Sequence, residues 1–266
     1  MPGADQDRTI PIRSDQVFEV TARERVTDPI VELELAPSDD SEGFDFLPGQ
    51  YVLLSDTGYR LAPRSYSVAN APRSDGTLGI LVTRVEGGQL STWIHDDLKQ
   101  GDRVLLEGPY GSFTADPADR ADPVLYLAAG SGLAPVRSLL EARLEAGPPC
   151  GPTTLAFSAR TEDDVIDRER FIGLGDAHPG FRFIRTLTSG DGPPPHGRLP
   201  EQLAGLCGDL ADHEVFIAGA PGFVAACAEA AEAAGAERAR IRTEVFFVEP
   251  QPWSDAAPET SPDDVR

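Results

Sequence analysis

Cysteine is scarce in this sequence. Only three cysteines occur among 266 residues, at positions 150, 207 and 227, and none of them forms a C-x-x-C pair. Because a ferredoxin-type iron–sulfur cluster needs four thiolate ligands, these cysteines are too few to hold one. A sparse and odd cysteine count is also typical of a reducing compartment. We therefore expect no iron–sulfur cluster and a cytoplasmic location.

Positive charge and long apolar runs are scarce as well. Lysine and arginine total 23 against 44 acidic residues, which gives a formal net charge of −21. Such a polyanion gains nothing from counterion release on DNA. No apolar run approaches the roughly 18 residues of a membrane span, and the N-terminus MPGADQDRTI lacks the apolar stretch of a signal peptide. The sequence therefore predicts neither nucleic-acid binding nor membrane insertion.

The first part of the chain has the pattern of short strands separated by turns. Segments 17–26 and 30–37 alternate apolar and polar residues with period two, which is typical of half-buried strands. One short helix is indicated at 91–99. Because 266 residues exceed one average core, two domains are expected. We predict that the first is an antiparallel β-barrel over residues 17–115, preceded by a flexible N-terminus at 1–16.

The second part alternates strands with helices. It follows a polar, proline-bearing linker at 116–123 and begins with VLYLAA, residues 124–129, which is apolar throughout. A helix is indicated at 135–147. Continuous apolar strands that alternate with helices indicate a parallel sheet covered on both faces. We predict an α/β domain over residues 122–248, followed by a disordered, acid-rich tail at 249–266.

Two glycine-containing loops stand directly before helices. In VEGGQLSTWIHDDL, Gly87 and Gly88 permit a tight turn, Ser91 can cap the helix, and Leu90 begins its apolar face. A helix N-terminus gathers unpaired N–H groups and the positive end of the helix dipole, so it suits a phosphate. The alternative is an ordinary hairpin turn that leads into a capped helix.

The second loop lies in LYLAAGSGLAPVRSLL. Gly130, Ser131 and Gly132 follow an apolar strand and open a helix, which is the setting of a dinucleotide-binding loop. Pro135, however, takes the place of the third glycine of the usual fingerprint. The next strand, TTLAFSA at 153–159, ends within FSAR, which contains Ser158 and carries no acid. Only half of the usual NAD fingerprint is therefore present.

The ordered set of motifs resembles the ferredoxin–NADP⁺ reductase superfamily. RSYS at 64–67 combines a cation, a ring and hydroxyls on one barrel strand, and alone it would match by chance too often to be informative. It is followed by the two glycine loops, and FLPGQYVLL, LEGPYGSF, VFIAGAPGF and RIRTEVFF complete the set between about residues 17 and 247. The resemblance implies a flavin-binding barrel and an NAD(P)H-binding α/β domain.

The resemblance also implies roles for individual residues. Arg64 pairs with flavin phosphate, and Tyr66 packs on the isoalloxazine ring. Ser67 lies by flavin N5, where the hydride arrives, and Glu244 helps to polarise or protonate the flavin, so these two are the catalytic candidates. The other expected cofactor-binding residues are Gly87, Gly88, Leu90 and Ser91 for the flavin phosphate, and Gly130, Ser131, Gly132, Pro135, Ser158, Arg160, Gly219 and Pro221 for the nicotinamide dinucleotide. No metal site is expected, since the histidines at 95, 178, 196 and 213 are scattered through polar or turn segments and are interpreted as solvated.

The sequence departs from the family pattern at the position that grips a 2′-phosphate. The plant-type NADP⁺ reductases carry a Ser-Arg pair where this chain has Thr188-Ser189. Because a 2′-phosphate favours arginine or lysine, we predict a preference for NADH over NADPH. Arg160, Arg185 and Arg198 are the alternative partners for a 2′-phosphate.

Two further departures concern the flavin ring. Ala218 stands where many members have a cysteine before G-x-P, so any effect of that thiol on hydride transfer is absent, and we expect activity to survive. The chain also continues beyond the terminal aromatic of the plant-type members. Phe247 or Trp253 is therefore the candidate that covers the ring.

The resulting hypothesis is a flavin-dependent NAD(P)H oxidoreductase that passes electrons to a separate acceptor: a ferredoxin, an oxygenase component or a haem protein. FAD is the expected flavin, with FMN as the alternative, and NADH or NADPH is the co-substrate. Two other hypotheses remain: an NAD(P)H:flavin reductase that uses flavin as a substrate, and a non-catalytic flavin-fold subunit of a larger complex. The loop from Gly88 to Ser91 favours a bound flavin. The oligomeric state is not predicted.

Overall fold

The computed structural model describes residues 10–39, 41, 43–116, 121–148, 150–189 and 195–247. A six-stranded antiparallel sheet is followed along the chain by a five-stranded parallel sheet. The predicted fold class, an antiparallel barrel followed by an α/β domain, is therefore confirmed.

The first sheet forms a nearly closed barrel. Its strands are β1 (Arg13–Thr27), β2 (Ile30–Pro37), β3 (Tyr51–Asp56), β4 (Arg64–Ser67), β5 (Leu78–Thr83) and β6 (Arg103–Tyr110). Their order in the sheet is β4-β3-β6-β1-β2-β5, and an antiparallel bridge between Val68 and Ile80 joins the end of β4 to β5. The RSYS strand therefore lies at the seam where the barrel closes. Strand β1 begins at Arg13, four residues before the start that the alternation indicated.

The barrel has an apolar interior of its own. Phe18, Val20 and Leu33 are fully buried, because alternate residues of a strand face the same side of the sheet. Helix α1 (Gln89–Asp96) follows β5 and buries Leu90 and Ile94 against the same interior. Burial of each such side chain contributes about 1.5–3 kcal/mol. The packed interior therefore stabilises the strands whose ends carry the candidate site.

The second sheet is parallel and flanked by helices. Its strands are β7 (Val124–Ala129), β8 (Thr153–Ala159), β9 (Phe181–Leu187), β10 (Glu214–Gly219) and β11 (Ile241–Val245), in the order β11-β10-β7-β8-β9. The helices are α2 (Leu133–Glu145), α3 (Arg168–Ala177), α4 (Leu199–Cys207) and α5 (Pro221–Ala233). Over the described residues, no helix is both long enough and apolar enough to cross a membrane. Helix α3 was not anticipated from the sequence, because it contains two glycines and buries only Phe171.

Side chains of the parallel strands face two different cores. Tyr126 packs in one core and its neighbours Leu125 and Leu127 in the other, which explains why β7 is apolar at every position. The first core also includes barrel residues, and Phe113 meets Phe216 of β10 edge to face with ring centroids 5.5 Å apart. The two sheets therefore share one apolar cluster, which fixes the ends of β4 and β5 against the carboxyl ends of the parallel strands.

Candidate functional site

The two residues expected to be catalytic meet across the junction of the sheets. Ser67 at the end of β4 is buried, and its hydroxyl donates a hydrogen bond to Glu244 Oε1 at 2.8 Å, although 177 residues separate them. Glu244 lies on β11, opposite Ala218 of β10. Burial raises the pKa of Glu244, and the bond from Ser67 opposes that rise. The pair thus combines a hydroxyl with a carboxyl group that holds a proton more readily than an exposed glutamate.

The RSYS strand presents a cation and a ring on one face. Arg64 and Tyr66 pair with Leu54 and Val52 of β3, while Ser65 between them is exposed. The Arg64 guanidinium is also exposed; it donates to the carbonyl of Pro63 at 2.9 Å and makes no ion pair within the described residues. An arginine without a carboxylate partner is suited to bind a phosphate.

Tyr66 lies half-buried against the barrel interior. Burial raises the pKa of its phenol, so the ring stays neutral at physiological pH. A neutral aromatic side chain at this position can pack on a flat ring system, as the resemblance implies.

The first glycine loop differs from the expectation in how its serine is used. Gly88, not Ser91, stands at the N-cap of α1, and Ser91 lies inside the first turn. Its hydroxyl donates to the carbonyl of Gly88 at 3.2 Å and accepts the N–H of Val85 at 3.1 Å. The prediction that Ser91 caps the helix is therefore wrong, because this hydroxyl closes the preceding turn instead. Leu90 is buried in the barrel, so only its backbone is available to a ligand.

The same loop leaves room for a ligand at its tip. Gly87 has φ +74°, and a Cβ there would meet no atom within 4 Å. The loop continues β5, whose residue Ile80 forms the bridge to the end of β4. The RSYS strand and this loop therefore flank the same seam, as a binding site for a flavin and its phosphates requires.

The second glycine loop is shaped by close backbone approach. Gly130–Gly132 forms a single 3₁₀ turn between β7 and α2. A Cβ on Gly132 would lie 2.4 Å from the carbonyl oxygen of Ala218, so no other residue fits without a shift of the backbone. A Cβ on Gly130, in contrast, would meet nothing within 4 Å. The loop is thus tight against β10 on one side and open on the other, as a cradle for a pyrophosphate needs to be.

Ser131 and Pro135 have structural partners in this loop. The Ser131 hydroxyl accepts a hydrogen bond from Thr83 Oγ1 at 2.7 Å, which ties the loop to the end of β5. Thr83 was not singled out from the sequence, because nothing in its neighbourhood distinguishes it from other strand residues. Pro135 is the third residue of α2 and is buried, and a proline is tolerated there because the first-turn N–H groups have no partner within the helix.

The loop after β10 completes the junction. Gly219 ends that strand, and its carbonyl accepts the N–H of Phe246 at 2.9 Å. Pro221 is exposed at the start of α5. The loops after β7 and β10 therefore meet at the carboxyl edge of the parallel sheet, where open α/β sheets bind their ligands.

The position expected to discriminate a 2′-phosphate lies one strand further along. Ser158 is half-buried near the end of β8, and Arg160 follows it with an exposed side chain. The N–H of Ser189 bonds to the carbonyl of Arg160 at 2.8 Å, so Thr188-Ser189 does lie beside Arg160. Arg160 Nε stands 3.6 Å from Asp164 Oδ2.

Arg185, another arginine considered for this role, is already paired. It makes three hydrogen bonds with the carboxylate of Glu162 at 2.6–2.9 Å, and this contact lowers the pKa of Glu162. Arg198 is exposed at the N-cap of α4. Arg160 is the arginine that follows Ser158 in the chain, and unlike Arg185 it makes no bidentate ion pair within the described residues.

Two histidines depart from the interpretation as solvated. His213 is half-buried with its Nδ1 buried, and burial lowers the pKa of its ring. His95 was interpreted as solvated, yet it is buried on α1 and its Nε2 lies 3.0 Å from the carbonyl oxygen of Val82. Burial lowers the pKa of His95, so it is a neutral packing residue. The polar residues that follow His95 indicated a solvated segment, and nothing in the sequence indicated that the carbonyl of Val82 would lie beside its ring. Within the described ranges, no group of three or more His, Cys, Asp or Glu side chains could hold a metal ion.

Three further positions were related to the flavin ring from the sequence, and two of them lie within the described residues. Ala218 is fully buried between β7 and β11, with its carbonyl against Gly132. Phe247 is 79% exposed at the end of the described residues, so whether it covers the flavin ring stays a prediction. Trp253 and the predicted tail at 249–266 lie outside the described residues.

Comparison with known proteins identifies the family. An oxidoreductase FAD-binding domain model matches residues 17–115, and an oxidoreductase NAD-binding domain model matches residues 126–229. The ferredoxin–NADP reductase B of Sorangium cellulosum is 39% identical over 191 residues, which are 68% of this chain and 76% of that protein. The chain belongs to the ferredoxin–NADP⁺ reductase superfamily. The resemblance inferred from the ordered motifs is thereby confirmed.

Other members of the superfamily match the chain over most of its length. The reductase component of propane 2-monooxygenase from Rhodococcus jostii is 32% identical over 244 residues, covering 89% of this chain and 65% of that protein. The solved structure of the Amycolatopsis cytochrome P450 reductase GcoB matches with a TM-score of 0.82 at 29% identity, over 90% of this chain and 71% of that one. The chain thus spans slightly less than two thirds of the length of the propane 2-monooxygenase reductase.

Proposed function

We propose that the protein is a flavoprotein reductase that takes electrons from NADH through bound FAD and passes them to a separate acceptor protein. The observation that carries the proposal is the part-buried hydrogen bond between Ser67 and Glu244. It lies at the junction between a strand with an available cation and ring and a glycine loop that opens an α/β domain. On this proposal residues 17–115 bind the flavin and residues 122–248 bind the nicotinamide dinucleotide.

The chain's residues fit these two ligands chemically. The chemistry that bound FAD would supply is redox chemistry. A hydride, which carries two electrons and one proton, would pass to it from NADH, which becomes NAD⁺. The electrons would later pass to the acceptor. Arg64 offers an exposed guanidinium for phosphate, and Tyr66 offers a neutral ring for stacking. Ser67 offers a hydroxyl that would hydrogen-bond to the flavin ring, and Glu244, whose pKa is raised by burial, lies within hydrogen-bond reach of Ser67.

The names of the relatives support a protein acceptor. They include the reductase component of propane 2-monooxygenase and the ferredoxin reductase component of 3-ketosteroid-9-alpha-monooxygenase from Rhodococcus rhodochrous. An oxygenase component or a ferredoxin is therefore the acceptor that we propose. The three cysteines supply too few thiolates for a ferredoxin-type cluster in this chain, so we also propose that any such cluster belongs to the acceptor.

NADH rather than NADPH is the proposed co-substrate because the local charge is unfavourable to a 2′-phosphate. Arg185 is neutralised by Glu162, and Arg160 lies close to Asp164. Glu162, Asp163 and Asp164 form one acidic turn that begins two residues after Arg160. The ratio of kcat/KM for NADH to that for NADPH tests the proposal, and a ratio below one would overturn it.

The spectrum of the purified protein separates this function from the two alternatives. The proposal expects a yellow protein that bleaches when NADH is added without oxygen. A colourless protein that oxidises NADH only with added flavin would be an NAD(P)H:flavin reductase. A yellow protein indifferent to both NADH and NADPH would be a non-catalytic subunit. Release of the flavin and its chromatography distinguish FAD from FMN.

A further inference from the structure

Helix α2 contacts both halves of the candidate site. The Gly130–Gly132 loop leads directly into its first turn. The following turns of α2 contact residues 69–71, the exit segment that follows the RSYS strand. Arg137 on this face has only 3% of its side chain exposed, which is unusual for an arginine. A buried guanidinium in this position requires partners, and the structure supplies them from three separate segments.

The backbone after Ser67 is bound by one face of α2. Each of residues 69, 70 and 71 makes one backbone hydrogen bond to a side chain of the helix. The bonds are Arg137 Nε to the carbonyl of Ala69 at 2.6 Å, Ser138 Oγ to the carbonyl of Asn70 at 2.7 Å, and the N–H of Ala71 to Glu141 Oε2 at 3.0 Å. The segment that begins two residues after Ser67 is thus fixed to the nucleotide-binding helix.

The other nitrogens of Arg137 extend the contact in two directions. Nη2 donates to Glu32 of barrel strand β2, and Nη1 donates to Asp167 Oδ2 at 2.6 Å, just before α3. These carboxylates hold the pKa of Arg137 above its ordinary value although burial opposes its charge. The charged guanidinium of Arg137 therefore bonds to the barrel, to the RSYS exit segment and to the α/β domain.

Neighbouring residues brace this arrangement from both sides. Glu141 also accepts a hydrogen bond from Arg170 of α3. The Asn70 side chain donates to the carbonyl of Thr77 at 3.2 Å and accepts the N–H of Gly79 of β5. The exit segment is therefore held by α2 on one side and by the barrel on the other, which leaves Ser67 little freedom relative to either glycine loop.

We propose that Arg137 is a positioning residue for hydride transfer: through Ala69 it fixes Ser67 and the flavin relative to the α2 loop that holds the nicotinamide dinucleotide. This inference rests on the proposed function. Reacting atoms must lie about 3–3.5 Å apart, and a displacement of about 1 Å can slow a reaction about 100-fold. A rigid connection between the two loops maintains that separation, whereas an ordinary interface residue would affect only stability.

Arg143 provides a matched control on the same helix. Its guanidinium also bonds to buried oxygens, namely Thr153 Oγ1 and the carbonyls of Asp122 and Gly151 at 2.7–3.2 Å. All three partners belong to the α/β domain, so Arg143 makes no bond to the RSYS exit segment. Loss of Arg143 should therefore affect stability without affecting the geometry between the loops.

The test compares Arg137→Met with Arg143→Met in the flavin-loaded protein. For Arg137→Met we expect retained flavin, a rate of flavin reduction at saturating NADH that is about 10- to 100-fold lower, and an NADH dissociation constant changed by less than about 3-fold. Amide hydrogen exchange should accelerate at Ala71, whose N–H bonds to Glu141. Arg143→Met should reduce flavin at the wild-type rate. Equal slowing by both variants, or normal reduction in Arg137→Met, would overturn the proposal.

A milder variant applies if Arg137→Met does not fold. Ser138→Ala removes only the bond to the buried carbonyl of Asn70, so we expect a lower Tm and flavin reduction that is about 3- to 10-fold slower; an unchanged rate would contradict the proposal. Exchange at Ala71 is measured without NADH, so it tests the rigid connection separately from the function. If wild-type protein is not reduced by NADH, the proposed function fails, while the exchange comparison still decides whether Arg137 orders this segment.

Discussion

The two sides of the candidate site use different parts of the chain. On the RSYS strand of the barrel the candidates are side chains: the Arg64 guanidinium, the Tyr66 ring and the Ser67 hydroxyl. On the α/β side they are backbone positions such as Gly132, where an added Cβ would lie 2.4 Å from the Ala218 carbonyl oxygen. A side chain can be removed by substitution without moving the backbone, whereas a larger residue at Gly132 must displace the backbone around it. A substitution on the RSYS strand should therefore remove one side-chain contact with the ligand. A substitution at Gly132 should change the shape of the glycine loop.

The largest expected effect is that of Gly132→Ala. The new methyl group would collide with the backbone of Ala218, which cannot move aside as a flexible side chain would. We expect a loss of about 1–3 kcal/mol in the free energy of unfolding, as for other overpacked sites, and loss of flavin reduction by NADH. Urea denaturation and the anaerobic spectrum measure the two effects.

Gly173→Ala is the control for this substitution. Gly173 lies in helix α3, and a Cβ there would meet no atom within 4 Å. Alanine should be neutral or stabilise the protein by about 0.4–1 kcal/mol. Wild-type stability in Gly132→Ala would show that the cradle is not as tight as its geometry implies.

The next effect belongs to the barrel side and concerns the rate of hydride transfer. Ser67→Ala removes the hydroxyl that bonds to Glu244 but leaves the phosphate-binding candidates in place. We expect about a 100-fold lower rate of flavin reduction, comparable to removal of one preorganised donor in other enzymes, with flavin affinity preserved. Stopped-flow absorbance under anaerobic conditions measures the rate.

Ser65→Ala is the control on the same strand, since Ser65 is exposed. It should leave the rate unchanged. If Ser67→Ala lowers only the Tm and not the rate, the hydroxyl is a packing group and the catalytic assignment is wrong.

A smaller effect is expected for flavin retention in Arg64→Ala. This substitution removes a charged donor that contributes about 1.5–3 kcal/mol when it binds a charged group. The dissociation constant for FAD should rise by about 10- to 100-fold, while the flavin-loaded fraction is reduced by NADH at the normal rate. Titration of apoprotein with FAD, followed by fluorescence, measures the affinity.

Arg25→Ala serves as the control, because Arg25 makes an exposed ion pair with Asp28, and such pairs contribute little. An FAD affinity equal to wild type in Arg64→Ala would mean that this arginine is only a solvated strand residue.

The sequence predicted some parts of this arrangement better than others, for physical reasons. Strand β7 was predicted at its observed bounds, residues 124–129, because a buried parallel strand can be apolar at every position. The barrel closure depends on the isolated bridge between Val68 and Ile80, which leaves no local pattern. The resemblance implied that Ser67 and Glu244 both lie at the flavin, but their direct contact was not predicted, since no periodicity relates residues so far apart in the chain.

Buried polar residues were the hardest to predict. Arg137 lies on a helix, where an arginine is normally solvated, and its burial depends on Glu32 and Asp167 from distant segments. His95 was interpreted as solvated for the same reason, and it is buried because Val82 offers a carbonyl to its ring. A polar side chain can be buried only where tertiary structure supplies a partner, so sequence spacing alone does not reveal it.

The smallest expected effect concerns the proton on Glu244, where the two sides of the site meet. Burial raises the pKa of this carboxyl, so the folded protein holds the proton more tightly than the unfolded chain does. The stabilisation is therefore fully present below the unfolded pKa and is lost as pH rises through the folded pKa. Glu244→Gln cannot lose a proton, so its free energy of unfolding relative to wild type should increase as pH rises.

Urea denaturation of both proteins from about pH 5.5 to pH 8 measures this difference, in a range where the excess of negative charge keeps the chain soluble. Asp75→Asn is a control of opposite sign. Its hydrogen bonds with Thr77 lower the pKa of the Asp75 carboxyl, so its stabilising effect is constant over this range and is lost only at more acidic pH. A stability difference for Glu244→Gln that does not change with pH would mean that Glu244 is ionised throughout. The carboxyl would then act beside Ser67 as a fixed charge and could not supply a proton.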